Sequence, residues 1–329
     1  MKKLFAVVTV IALLLSVCCI ASAEDQIRTG LYVSVNMTGS KNATAEKDGT
    51  ASLEYSIYAV AVDADNVIVD AVVDMIQVKV GFTAAGVLTA DTAAVFASKN
   101  ELKDAYGMRK ASSIGREWFE QMEGLCEYVK GKKVEDLKGI ALTENGKAAD
   151  ADLAASVTLA ISGDIDGIIA AAANADYHGA VKGDTLFLTQ CTGISKSKSA
   201  TENKDGQVQG YTFLGVITRN GDTVTSCYID ALQPTVKFNA AGAITGDLIA
   251  AVQTKNQLGD GYGMRAASGI GKEWNEQAAA FCEYVKGKTV AEIAGIAVND
   301  AGKTDDADIV TFATVSVAEM IELITKTAE

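Results

Sequence analysis

The feature that most constrains this chain is an internal duplication. Shifted by 156 residues, positions 99–141 fall on 255–297 with 27 of 43 residues identical and no gap. Tyr106-Gly107-Met108-Arg109 lands on Tyr262-Gly263-Met264-Arg265, Glu117-Trp118 on Glu273-Trp274, and the run Cys126 to Lys132 on its counterpart from Cys282. A period this long describes paired globular units rather than a solenoid. The register extends back to Tyr55 with Tyr211 and forward to Thr158 with Thr314, which sets units at 24–176 and 177–329 behind a leader at 1–23. A unit of that length buries roughly 70% of its unfolded surface, enough for a core of its own.

Each unit reads the same way. Tyr55 to Asp63, Val67 to Asp74 and Gln77 to Phe82 alternate or run apolar as strands do, linked by Ala64-Asp65-Asn66 and by the turn Thr83 to Gly86. Asn220-Gly221 in the second unit is a favoured hairpin dipeptide. Leu31 to Met37 and Thr185 to Cys191 add an opening strand to each. The period then changes: Trp118, Met122, Leu125 and Val129, and likewise Trp274, Ala278, Phe281 and Val285, mark the buried stripe of a helix that ends at Gly131 or Gly287. Thr289 with Glu292, and Ser316 with Glu319, read as helix starts, and Ile309 to Val315 as a β-branched strand. The expected fold class is α+β: two tandem homologous domains, each a curved antiparallel sheet packed on one long amphipathic helix plus short helices.

Lys2 and Lys3, the apolar run Leu4 to Leu15 and the small residues Ala21-Ser22-Ala23 read as an export signal. Cys18 and Cys19 would allow a lipoprotein, but Val17 stands where a small residue is usual, so a secreted or extracytoplasmic surface protein is the expectation. No later segment is apolar for the roughly 20 residues that span a bilayer. Net charge is −13, which argues against a nucleic-acid partner. Cys126, Cys191, Cys227 and Cys282 remain beyond the leader and allow three pairings among which the sequence does not choose; Cys191 and Cys227, in extended stretches, are the favoured bridge, with Cys126 and Cys282 as packed thiols.

Hydrolytic chemistry finds little support. The single histidine, His178, lies at the junction with no triad partners in view and reads as a solvent-facing linker residue. Asp63, Asp65, Asp70 and Asp74 alternate with apolar residues as on a solvated strand face. No metal-ligand spacing occurs. One candidate is the helix entrance Gly107-Met108-Arg109, with Ser112 and Gly115, repeated as Arg265, Ser268 and Gly271. Free amides at a helix start and an arginine make an anion site. The other is the segment before the last helix, Asp308-Ile-Val-Thr311-Phe312-Ala313-Thr314 and its counterpart from Asp152 to Thr158.

That segment, with Thr29-Gly30-Leu31-Tyr32, Trp118 with Gln121, and Trp274 with Gln277, resembles the FMN-binding domain family of exported and membrane-associated redox proteins. There a D-x-x-S/T-G-A-T motif attaches FMN through its threonine. The resemblance implies Thr314 and Thr158 as cofactor residues, with Asp308 and Asp152 at the motif's start. It also implies FMN as cofactor, a membrane-associated electron donor or another surface protein as partner, and electron transfer outside the cytoplasmic membrane. Phe312 and Ser156 replace the motif's glycine, a departure that obstructs covalent attachment. The alternative is a cofactor-free surface binding or scaffolding protein built from degenerate copies of that domain.

Overall fold

The computed structural model describes residues 25–328; the leader expected at 1–23 lies outside the described residues. In the first half, β1 (Arg28–Asn36), β2 (Gly49–Val62) and β3 (Ile68–Phe82) form an antiparallel sheet in that order. Helices α1 (Lys99–Leu102), α2 (Trp118–Val129), α3 (Ala151–Ala154) and α4 (Ser162–Ala173) follow. The second half runs through β4 (Thr185–Gly193), β5 (Gly206–Gln209), β6 (Tyr211–Asn220), β7 (Thr223–Leu232) and β8 (Thr235–Phe238). Then come α5 (Lys255–Leu258), α6 (Trp274–Val285), α7 (Val290–Ala294) and α8 (Ala318–Thr325). The chain is thus α+β with antiparallel sheets, as expected, and the stripe of α2 is buried at Trp118, Met122, Leu125 and Val129.

Strand alternation decides how the halves meet. Along β2, Leu53, Tyr55, Ile57, Ala59 and Ala61 point one way, while Tyr58, Val60 and Val62 point to the helices. The first set joins Ile76, Val78, Val80 and Phe82 in a core shared with Leu214, Val216, Leu232, Val236 and Phe238 of the second half. The β1-β2-β3 sheet therefore packs face to face with the two sheets of the second half, β4-β6-β7 and β5-β8, and helices cover the outer faces of the two three-stranded sheets. Each half also has a core of its own beneath its helices, Val60, Trp118, Leu125 and Ile168 in the first and Ile217, Trp274, Phe281 and Leu323 in the second, and the shared core is added to these. A small sheet has two apolar faces, and here the helices of its own half cover one. Reciprocal bonds tie the seam: Ala43 N–H donates to the Gly242 carbonyl and Ala200 N–H to that of Gly86, each at 2.8 Å.

Four details depart from the sequence reading. Val67 to Asp74 and Gln77 to Phe82 are one continuous strand, β3; the break occurs in the second half, between β7 and β8. There Pro234, which has no N–H, interrupts the ladder, and its carbonyl accepts from Gly210 at 3.0 Å. Ile309 to Val315 is not a strand: Ile309–Thr311 is a helical turn, because the Asp306 carboxylate takes the N–H groups of Asp308 and Ile309. All four cysteines are free, so the expected Cys191–Cys227 bridge is absent; Cys191 lies against the Glu319 carbonyl, and Cys227 against Cys282.

The fourth departure is a change of register. Val73 pairs with Tyr58, but its counterpart Ile229 pairs with Gly215, one residue out of step with the 156-residue offset. The hairpin turns explain it. Asp63 N–H donates to the Val67 carbonyl around three residues, whereas Asn220 pairs with Thr223 around two. One residue fewer turns every side chain of β6 to the other face. Tyr211 and Phe213 consequently face the helices, while Tyr55 and Ile57 are in the shared core. The structural counterparts of Tyr211 and Phe213 are Glu54 and Ser56.

Candidate functional site

The loop before each long helix is held by the chain's own carboxylate. Buried Glu117, at the helix cap, accepts from the N–H groups of Met108 and Arg109, both at 2.7 Å, and Glu273 does the same for Met264 and Arg265 at 2.9 and 2.7 Å. Glu120 and Glu276 in turn take the cap N–H, as in a capping box. The arginines are exposed and engaged: Arg109 binds Asp104, Glu120 and the Gly115 carbonyl, and Arg265 binds Asp260, Glu276 and the Gly271 carbonyl. The amides expected to receive an anion are already occupied. Gly115 and Gly271 shape the turn, with φ of 65° and 63°.

Ser112 and Thr158 are brought together, as are Ser268 and Thr314. The link is a fully buried glutamine on the long helix. Gln277 donates from Nε2 to the Ser268 hydroxyl at 3.3 Å, and its Oε1 accepts from Thr314 N–H at 2.8 Å and Thr314 Oγ1 at 3.4 Å. Gln121 repeats this with Ser112 at 3.2 Å and with Thr158 at 2.9 and 3.3 Å. Asp152 and Asp308 stay outside this cluster, Asp152 exposed in the first turn of α3 and Asp308 exposed in a turn, and α3 is capped by Asp150 instead. At the motif's glycine position, Phe312 tilts against Tyr284, ring centroids 5.7 Å apart.

Thr314 and Ser268 open onto a cleft of about 340 Å³, walled by Tyr211, Phe213, Tyr262 and Trp274 with Lys255, Lys303 and Ser316. Lys255 is almost wholly buried at the floor. Its Nζ lies 4.5 Å from the Trp274 ring, 4.7 Å from Tyr262, 4.8 Å from Tyr211 and 5.8 Å from Phe213, and donates to the Tyr211 hydroxyl at 2.9 Å. Burial lowers its pKa to about 8, against the opposing pull of Asp230 and Glu319. Among the described residues, the rings beside Lys99 Nζ are two, Tyr106 and Trp118, at 4.5 and 4.8 Å.

The sequence reading passed over three sets of residues. Lys99 and Lys255 are identical in the duplication, and that recurrence of a charged residue beside recurring aromatics was the available signal. Glu117 and Glu273 recur likewise. Asp74, read as a solvated strand residue, is buried, as is its counterpart Asp230. Each carboxylate accepts from the backbone at the start of α1 or α5, at Asn100 or Asn256, and desolvation pushes each up to about 6. His178 is half-buried rather than solvent-facing: Nδ1 lies 3.1 Å from the Thr29 hydroxyl and the ring centroid 5.0 Å from that of Tyr228. Burial lowers its pKa. Among the described residues no helix is long and apolar enough to cross a membrane.

No family model matches the chain, and no solved structure matches it. Over 41 residues it is 56% identical to the chlorophenol reductase of Desulfitobacterium hafniense. That stretch spans 12% of this chain and 12% of the reductase.

Proposed function

We propose that the chain is an exported protein of two homologous tandem units that binds flavin mononucleotide in the cleft of the second unit. In this reading it passes electrons between a membrane-associated donor and an acceptor outside the cytoplasmic membrane. The observation that supports this is the cleft itself, with four aromatic rings, two lysines and the Thr314, Ser268 and Ser316 hydroxyls around one space. Planar rings suit an isoalloxazine, and ammonium groups with hydroxyls suit a phosphate. The chain's own residues would do the holding: Trp274, Tyr211 and Tyr262 by ring contact, Lys303 and Lys255 by charge, and Gln277 by fixing the backbone of Thr314. A bound flavin would supply the electron chemistry, tuned by the charges around it. The match to chlorophenol reductase covers too little of either protein to bring its substrate here.

A cofactor-free surface binding or scaffolding role is favoured by a different observation, the engagement of Arg109 and Arg265 in ion pairs within their own loops. The test is reconstitution. Purified full-length chain is mixed with FMN, passed over a desalting column, and read for flavin absorbance before and after acid precipitation. Retained colour that acid releases supports non-covalent flavin binding in this protein. A colourless protein, with no added mass on the peptide carrying Thr314, sinks the flavin reading and leaves the scaffold.

A further inference from the structure

The two halves differ at the wall of the cleft in a way that bears on charge. In the second half Tyr211 and Phe213 complete a ring cage around Lys255. In the first half the register places Glu54 and Ser56 at those positions, both on the helix-facing side of β2. We propose that Lys255 reads the charge of the molecule in the second-half cleft, pairing with an anionic group on a bound aromatic ligand, while the first half lacks this capacity. The proposal rests on the cleft being the ligand site and names the residue that selects for charge there.

An ammonium can donate three hydrogen bonds, and the Tyr211 hydroxyl is the acceptor that Lys255 Nζ meets within the protein. Ring faces stabilise the cation without neutralising it. The charged and titratable groups facing it come from several elements: Asp230 on β7, Glu319 on α8, Tyr211 on β6, Tyr262 before α6, and Lys303 across the cleft. Asp230 and Glu319 act through space, and neither forms an ion pair with Lys255 among the described residues. The cation is therefore poorly solvated and incompletely paired, so an anion entering the cleft gains more from it than from a surface lysine. In the first half, a carboxylate at Glu54 would oppose the same anion.

The test titrates the full chain with three probes: FMN, riboflavin as its uncharged relative, and anilinonaphthalene sulfonate as an unrelated aromatic anion. Lys255→Met is expected to weaken FMN and the sulfonate by about tenfold or more while leaving riboflavin unchanged, and Lys255→Arg to restore most of the loss. In the unaltered protein, affinity for the sulfonate should hold up to about pH 8 and then fall by up to about tenfold per pH unit. That measurement decides the matter if the methionine variant fails to fold. Equal loss of FMN and riboflavin, unchanged binding of all three probes by Lys255→Met, a flat pH profile, or no binding of either anion overturns the proposal. If the sulfonate binds through Lys255 and neither flavin binds, the flavin reading fails and the assignment of Lys255 stands.

Discussion

Phe82 and Phe238, the same position in the two repeats, stack with ring centroids 4.2 Å apart and planes 5° from parallel. Both are fully buried, and they meet where the β1-β2-β3 sheet faces the β5-β8 sheet. Each ring thus completes the other half's core. Phe82→Ala or Phe238→Ala should each cost about 3–5 kcal/mol of stability in urea unfolding. Because the rings share one space, the double variant should lose clearly less than the sum of the two. Strict additivity would mean that the halves pack independently.

Tyr55 and Gly210 make a second contact across the seam. A Cβ on Gly210 would collide with the Tyr55 hydroxyl, and Tyr55 is enclosed on all sides. Gly210→Ala should therefore destabilise by about 1–3 kcal/mol through overpacking. Removing the hydroxyl with Tyr55→Phe in that background should recover much of the loss, seen as a rise in Tm. Without recovery, the clash is not the cause.

The glutamine clamp can be tested away from any ligand. Gln277 is fully buried, and its Oε1 accepts from Thr314 N–H and Val315 N–H, so Gln277→Leu strands two backbone donors. A loss of about 1–3 kcal/mol is expected, with faster hydrogen exchange confined to the Thr314 and Val315 amides. Unchanged exchange at those amides would show that the clamp does not hold the segment.

The buried carboxylates predict a pH dependence with a definite sign. Desolvation raises Asp74 and Asp230 from 3.8 to about 6, although the Ser98 or Thr254 hydroxyl and backbone amides oppose it. The folded state then binds more protons than the unfolded state between about pH 4 and 6, so this contribution to stability is full below that window and is lost as pH rises through it. Asp230→Asn keeps an oxygen acceptor without the charge. Its stability relative to the unaltered protein should improve by up to about 3 kcal/mol between pH 4 and pH 7. A difference that stays constant with pH refutes the assignment.

Much of the architecture could be read from residue order. The repeat in the chain, the stripe beginning at Trp118, the turn at Asn220-Gly221 and the α+β class all follow from local periodicity and turn chemistry, which each segment carries within itself. Part of the candidate site was legible as well: Thr158 and Thr314 fell in the repeat register, and Gln121 and Gln277 were marked by the family resemblance. The β-branched run from Ile309 misled, because an aspartate side chain at Asp306 captured the backbone that propensity alone would have extended.

What residue order left open depended on matters far apart in the chain. Whether each sheet closes on itself or on its twin depends on which apolar face remains uncovered, and that became visible only when Leu53 and Val216 were found in one core. The cage around Lys255 depended on one residue fewer in a distant hairpin, since pleat parity, unlike helix periodicity, reverses completely with a single-residue slip. The sequence by itself determined two copies of one plan; the tertiary structure decided that they share a core and that Tyr211 and Phe213, not Glu54 and Ser56, look onto a buried cation. The physical reason is that local pattern sets which faces are apolar, while pairing register and mutual burial set what those faces meet.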